Sequence, residues 1–153
     1  MPGYVVPPGV GRSFGPGINV KIEYEASPSF AAWESLLPPA WQGPPPHIHH
    51  AYDEAFYVVN GAVTFSLDGV EQVCPAGSVA FAARGTTHGF ANLGVEPAKL
   101  LVIVTPGAIR LVEELFDLGR NGQPDPDAVT ALFAQYDSEV ATGVGPSDWG
   151  IRR

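Results

Sequence analysis

The sequence predicts an all-β fold of short antiparallel strands followed by two C-terminal helices, and three observations predict it. Eighteen glycines and sixteen prolines in 153 residues are too many for a mainly helical chain. They suit short strands joined by tight turns. Between the turn signals, apolar and polar residues alternate with the period of two that a half-buried strand requires. After Pro106 that period changes to about three and a half, the spacing of an amphipathic helix. The length is that of one domain with room for a sizeable core.

Residues 1–17 are rich in glycine and proline and read as an extended N-terminal arm. Residues 18–107 carry the strands. Ile18, Val20, Ile22 and Tyr24 alternate with polar residues, and Phe30 to Leu37 is expected to be a strand, although Ser27, Pro28 and Glu34 would also permit a helical turn. The segments EAFYVVN and AVTFSLD meet at Asn60-Gly61, which reads as a hairpin because both residues tolerate positive φ. Val63, Phe65 and Leu67 then share one face. Asp68-Gly69 marks the next turn, VEQVC a short strand, and Pro75-Ala76-Gly77 the turn before SVAFAA. The run AKLLVIVTP is continuously apolar, as in a strand buried on both faces.

Residues 108–140 read as two helices packed on the outside of the strands, with no site of their own. The first carries a stripe of Leu111, Leu115 and Leu118 with Val112 and Phe116, and Gly119 offers a stop. Asp125-Pro126 opens the second, as an N-cap followed by proline in the first turn, and Val129, Leu132, Phe133 and Tyr136 share its apolar face. Residues 141–153 form a tail in which Trp149 could dock on the strands or on a neighbouring subunit.

A formal charge of −8 argues against nucleic-acid and anionic-membrane partners, since phosphate binding is driven by Lys and Arg. No apolar run approaches the ~20 residues of a membrane span, and the N-terminus lacks the basic and apolar regions of a signal peptide. A cytoplasmic location is the expectation. Cys74 is the single cysteine, so no intrachain disulfide forms; beside Pro75, it is expected to be a structural thiol.

All four histidines fall into one arrangement: His47, His49 and His50 in PPPHIHHAYDEAFYVVNG, and His88 in ARGTTHGFAN. Imidazole is the commonest ligand for transition metals and carboxylate its usual anionic companion, so His47, His49, Glu54 and His88 form a plausible ligand set. In an extended chain His47 and His49 point to one side, Ile48 and His50 to the other. Glu54 has the wrong parity for a regular strand continuing from His49, so a bend or bulge at Ala51 to Asp53 is expected to turn it inward. Tyr52 and Asp53 flank that bend and could reach a pocket mouth. From Glu54 the alternation continues through Phe56 and Val58. Arg84, in a turn beside Gly85, is expected to be a solvated charge rather than an anchor for an anionic substrate.

The segment Gly43-x3-His47-x-His49-x4-Glu54-x6-Gly61 is followed by Gly77-x5-Ala83-x-Gly85-x2-His88-x3-Asn92. These blocks resemble the paired signature motifs of the cupin superfamily. Two positions depart from the family pattern: three residues rather than five separate Gly43 from His47, and Ala83 stands where proline is usual. Neither is a proposed ligand. The resemblance implies a small antiparallel β-barrel of the cupin or jelly-roll type, holding one divalent transition metal (iron, nickel, manganese, copper, cobalt or zinc) on His47, His49, Glu54 and His88. Phe56, Val58, Phe65, Phe81 and Phe90 become candidates for the apolar lining of a small-molecule pocket.

Over most of residues 15–140 the chain is similar to single-domain bacterial quercetin-dioxygenase-like cupins. That likeness implies a flavonol-like, enolisable or phenolic substrate, dioxygen as co-substrate, Glu54 as both ligand and proton acceptor, and a homodimer in which the N-terminal arm is exchanged. Cupins with such sites also include cyclases, isomerases, lyases and metal-dependent binding modules, because fold and ligands do not fix chemistry.

Overall fold

The computed structural model describes residues 2–105 and 107–141. The expectation for the tail, Trp149 included, lies outside the described residues. Among the described residues ten strands and two helices follow in chain order: β1 (Ile18–Ile22), β2 (Ala31–Leu37), β3 (His47–His49), β4 (Glu54–Asn60), β5 (Ala62–Leu67), β6 (Val70–Pro75), β7 (Val79–Ala82), β8 (His88–Ala91), β9 (Ala98–Val104), α1 (Ala108–Gly119), α2 (Pro126–Gln135) and β10 (Ser138–Val140). The strands make two five-stranded antiparallel sheets, ordered β1-β2-β9-β4-β7 and β10-β3-β8-β5-β6. No ladder joins the sheets among the described residues, so the strands form a two-sheet jelly roll rather than a closed ring.

The interior is filled by alternate residues of both sheets. Phe56 and Val58 on β4, Val63 and Phe65 on β5, and Leu100, Val102 and Val104 on β9 are all buried, together with Val20, Trp33 and Cys74. Fully burying one such side chain stabilises the fold by roughly 1.5–3 kcal/mol, so this interior is the main source of its stability. The Trp33 indole N–H donates to Ser35 Oγ at 3.0 Å, which satisfies a buried donor that would otherwise cost stability.

Several expectations change. Asn60-Gly61 is not a hairpin: β4 pairs with β7 and β9 while β5 pairs with β6 and β8, so the chain turns a corner between sheets there. Only Gly61 has positive φ at that corner, and a Cβ on it would lie 2.9 Å from the Pro97 carbonyl oxygen. The two-residue hairpin is at Asp68-Gly69, where both residues have positive φ, 49° and 80°, and Leu67 pairs with Val70. Strand β9 is not buried on both faces. It lies between β2 and β4, and its inward residues alternate with half-buried Leu101 and with Ile103, which is exposed.

The helices build a second, smaller core from Leu111, Leu115, Val129, Leu132 and Phe133, with Tyr136 and Val140 against it. Leu118, expected in that stripe, is exposed; the buried face of α1 runs instead through Ala108, Ile109, Leu111 and Leu115, and Ala108 and Ile109 join the main core. Asp125 caps α2, its carboxylate accepting from the Asp127 N–H at 3.2 Å. The N-terminal arm contacts the rest of the chain: Arg12 pairs with Glu23 and with Glu113 of α1, and the Phe14 and Phe116 rings meet edge to face at 5.7 Å.

After α2 the chain does not stay helical. Asp137 takes φ +48°, and Ser138–Val140 pairs with β3 in the register Ser138 to His49 and Val140 to His47.

Candidate metal centre

Three histidines come from one sheet and the carboxylate from the other. His47 and His49 lie on β3, a three-residue strand whose outer two positions are buried while Ile48 between them is half-buried. His88 opens β8 and pairs directly with His47 across the ladder. Glu54 opens β4 in the facing sheet, opposite Ala82 and Val104. The inward turn of Glu54 comes from a bend rather than a bulge: the chain bends at His50 and Ala51, residues 50–53 carry it from one sheet to the other, and parity restarts in the new strand.

The four side chains are all buried, and one ligand atom from each lies within 4.8 Å of the others. Glu54 Oε2 is 3.2 Å from His88 Nε2, and Glu54 Oε1 is 3.7 Å from His49 Nε2. The imidazoles pack closely, with His47 and His88 centroids 4.4 Å apart.

Each ring is held from behind through its other nitrogen. His47 Nδ1 is 2.8 Å from the Pro45 carbonyl oxygen and His88 Nδ1 is 2.9 Å from that of Thr86. A carbonyl oxygen only accepts, so both rings donate from Nδ1–H and keep Nε2 as the ligand atom, which at His88 faces Glu54 Oε2. His49 Nδ1 meets Ser138 Oγ at 2.7 Å. Carbonyl or hydroxyl oxygens behind each imidazole are the arrangement that orients metal-bound histidines, so the donor set fits a divalent transition metal.

Burial, then the charges of the neighbouring imidazoles, pushes His47 and His49 down to about 3. They are neutral donors at ordinary pH, and the approach of His49 to Glu54 is not an ion pair. At His88 burial also acts downward, but the hydrogen bond and charge of Glu54 and the Thr86 carbonyl outweigh it, and its pKa is raised.

The proposed lining divides. Phe56, Val58 and Phe65 are buried, Phe90 is half-buried, and the rings of Phe56, Phe65 and Phe90 form one cluster with centroids 5.3 to 6.2 Å apart. Phe56 and His88 are 6.2 Å apart, so this cluster adjoins the metal ligands. Phe81 does not line the interior. It is 57% exposed, because β7 turns Ala80 and Ala82 inward, in register with Phe56 and Glu54, and parity then points Phe81 outward.

His50 is exposed and lies 3.7 Å from Glu139, away from the ligands, as parity requires. Arg84 is exposed and bidentate on Asp53, with Nη2 2.7 Å from Oδ2 and Nε 3.2 Å from Oδ1. That pair holds Asp53 down to about 2 and fixes the crossover outside the interior. Tyr52 packs edge to face on His49 at 5.5 Å. Asn92, the last residue of the second sequence block, is structural: its amide donates to the carbonyls of Leu37, Pro38 and Glu96 and its oxygen accepts from Gly94 N–H.

Two contacts come from the C-terminal segment. Phe133 of α2 packs on His47 at 5.7 Å, and Ser138 of β10 is the partner of His49. The helices therefore do more than cover the outside. The only local signal for β10 is the alternation of Ser138 and Val140 about Glu139, which is too short to mark a strand.

A two-sheet jelly roll with three buried histidines and one glutamate turned to a common point is a cupin fold with a candidate metal site. Residues 33–104, just under half of the chain, match the family model described as Cupin domain. The fold is similar to KdgF from Halomonas sp., with a TM-score of 0.58 and 22% identity over 69% of this chain and 94% of that one. It is similar to TT1209 from Thermus thermophilus, with a TM-score of 0.52 and 28% identity over 62% of this chain and 90% of that one. It is also similar to the polyketide cyclase RemF from Streptomyces resistomycificus, with a TM-score of 0.51 and 25% identity over 58% of this chain and 67% of that one. No curated protein matches the chain in sequence. No helix among the described residues is long and apolar enough to cross a membrane.

Proposed function

We propose that this chain is a metal-dependent enzyme acting on a small, largely apolar, enolisable or phenolic substrate, with ring-opening oxygenation of a flavonol-like compound as the first reaction to test. One observation carries the reading: the donor atoms of His47, His49, Glu54 and His88 converge inside an apolar interior. Four protein ligands leave one or two positions open on a five- or six-coordinate ion. A divalent transition metal bound there would supply Lewis-acid activation of a substrate oxygen and, if redox-active, dioxygen chemistry. Glu54 would accept the proton of an acidic substrate hydroxyl on a carboxylate oxygen. Phe56, Phe65 and Phe90 would offer an aromatic wall, with Val58 behind it in the core.

A second reading is a non-oxidative cyclase or isomerase, and the likeness to the polyketide cyclase RemF favours it. The proposal includes a cytoplasmic homodimer. The apolar outer face made by Val79 and Phe81 with Tyr57 and Ile103 supports the dimer, and a lone buried cysteine suits a reducing compartment.

The test is elemental analysis of tag-free protein, followed by turnover of a panel of flavonols and related enols in air and under anaerobic conditions. About one metal per chain is expected, with product formed only in air. Product that persists without oxygen selects the cyclase or isomerase. Binding of a panel member without turnover reduces the protein to a binding module, and an unchanged metal content in His49→Ala removes the metal site itself.

A further inference from the structure

The hydroxyl of Ser138 has one proton and two oxygen lone pairs, and its surroundings fix how they are used. Ser138 Oγ lies 2.9 Å from the Tyr136 carbonyl oxygen, which only accepts, so the serine proton is committed there. What remains toward His49 Nδ1, at 2.7 Å, is a lone pair. His49 must therefore be the donor, protonated on Nδ1, with the lone pair of Nε2 turned toward Glu54 Oε1. Without this contact the neutral ring could place its proton on either nitrogen, and only one of the two forms can ligate through Nε2.

The serine itself is held firmly. It is buried, it pairs with His49 in the β10–β3 ladder, and the strand is tied at both ends: His50 N–H donates to the Asp137 carbonyl at 2.9 Å and Ala141 N–H to that of Pro46 at 2.9 Å. Upstream, Phe133 of α2 rests on the His47 ring. One stretch of chain, lying beyond residues 33–104 that match the Cupin domain, thus touches two of the four candidate ligands.

We propose that the α2–β10 segment is an integral part of the metal centre, with Ser138 as the positioning residue that locks His49 into the Nδ1–H tautomer required to present Nε2 to a divalent transition metal. The inference rests on the reading of His47, His49, Glu54 and His88 as metal ligands.

Its test compares the full-length wild type with Ser138→Ala, Ser138→Thr and His49→Ala, first freed of metal and then titrated with Ni²⁺ or Zn²⁺ by competition with a chelator. Ser138→Ala should weaken binding about 10- to 100-fold while still taking one ion per chain at saturation, and Ser138→Thr, which keeps the hydroxyl, should recover most of the affinity. Nitrogen-15 spectra of the metal-free wild type should show His49 protonated on Nδ1, and this readout does not depend on any variant folding. Wild-type affinity in Ser138→Ala alongside a loss of binding in His49→Ala would overturn the role of Ser138 and leave the metal site standing. A wild-type His49 protonated on Nε2 would overturn it equally. Unchanged binding in His49→Ala would remove the ligand set and this inference with it.

Discussion

Glu54 and His88 stand 3.2 Å apart, carboxylate oxygen to Nε2, although they are 34 residues apart in sequence and belong to different sheets. Of the three inward imidazoles, His88 is the one whose affinity for a proton is raised, because it faces that carboxylate most closely. A proton on His88 Nε2 can be donated to Glu54 Oε2 at that distance. A metal ion therefore competes with a proton more strongly at His88 than at His47 and His49, whose affinity for a proton is lowered.

The stability of the metal-free protein should fall as pH drops below neutrality. His47 and His49 take up protons near 6.5 when unfolded but resist them down to about 3 when folded, so between those values the unfolded state binds more protons. Each group contributes a slope of up to ~1.4 kcal/mol per pH unit in that window. His88 has the opposite sign: its stabilisation is present below 6.5 and fades as pH rises through its raised folded value. Urea midpoints of chelator-treated protein should be lower at pH 5.5 than at pH 7; equal midpoints would contradict the burial of neutral imidazoles.

Gly43→Ala should be among the most damaging single-methyl changes in the chain. Its φ is +76°, and a Cβ would lie 1.6 Å from the Phe90 carbonyl oxygen, which is backbone and cannot rotate away. Strain and clash together should cost more than about 3 kcal/mol. Gly85→Ala shares the positive φ but meets nothing within 4 Å, and should cost about 1 kcal/mol. Chemical denaturation of the two variants separates backbone conformation from close approach.

Phe81→Ser should be nearly neutral for the fold of the single protomer, within about 0.5 kcal/mol at concentrations that dissociate the proposed dimer, because the side chain is exposed on the protomer. Phe56→Ala, at a ring that is 1% exposed, should cost about 3–5 kcal/mol. A loss at Phe81 that grows with protein concentration would report the proposed dimer, whereas losses comparable to those of Phe56→Ala at every concentration would contradict the outward placement of Phe81.

Much of the site was legible because ligand chemistry and strand parity are local. HxH places two imidazoles on one side wherever the segment is extended, and Glu54, Phe56 and Val58 follow from alternation along a single strand. What escaped depends on partners distant in sequence. Phe81 is aromatic on a strand of small residues, and which face of β7 turns inward is set by its register with β4, where Ala80 and Ala82 stand opposite Phe56 and Glu54. Asn60-Gly61 has the composition of a hairpin, but which strand lies beside β4 is settled by β9, some forty residues further on. Ser138 matters because β3 has a free edge for it to join, and no pattern within residues 138–140 records that.

The division of the ligands between the two layers has a mechanical consequence. An ion held by Glu54 on one side and by three imidazoles on the other would act as a rivet through the sandwich, so that pulling the sheets apart would mean breaking its coordination. Part of its binding free energy would then count as resistance of the fold to opening. Affinity for the ion and cooperativity of the sandwich would be one quantity read in two ways, and an edge strand as short as β10 would bear on both.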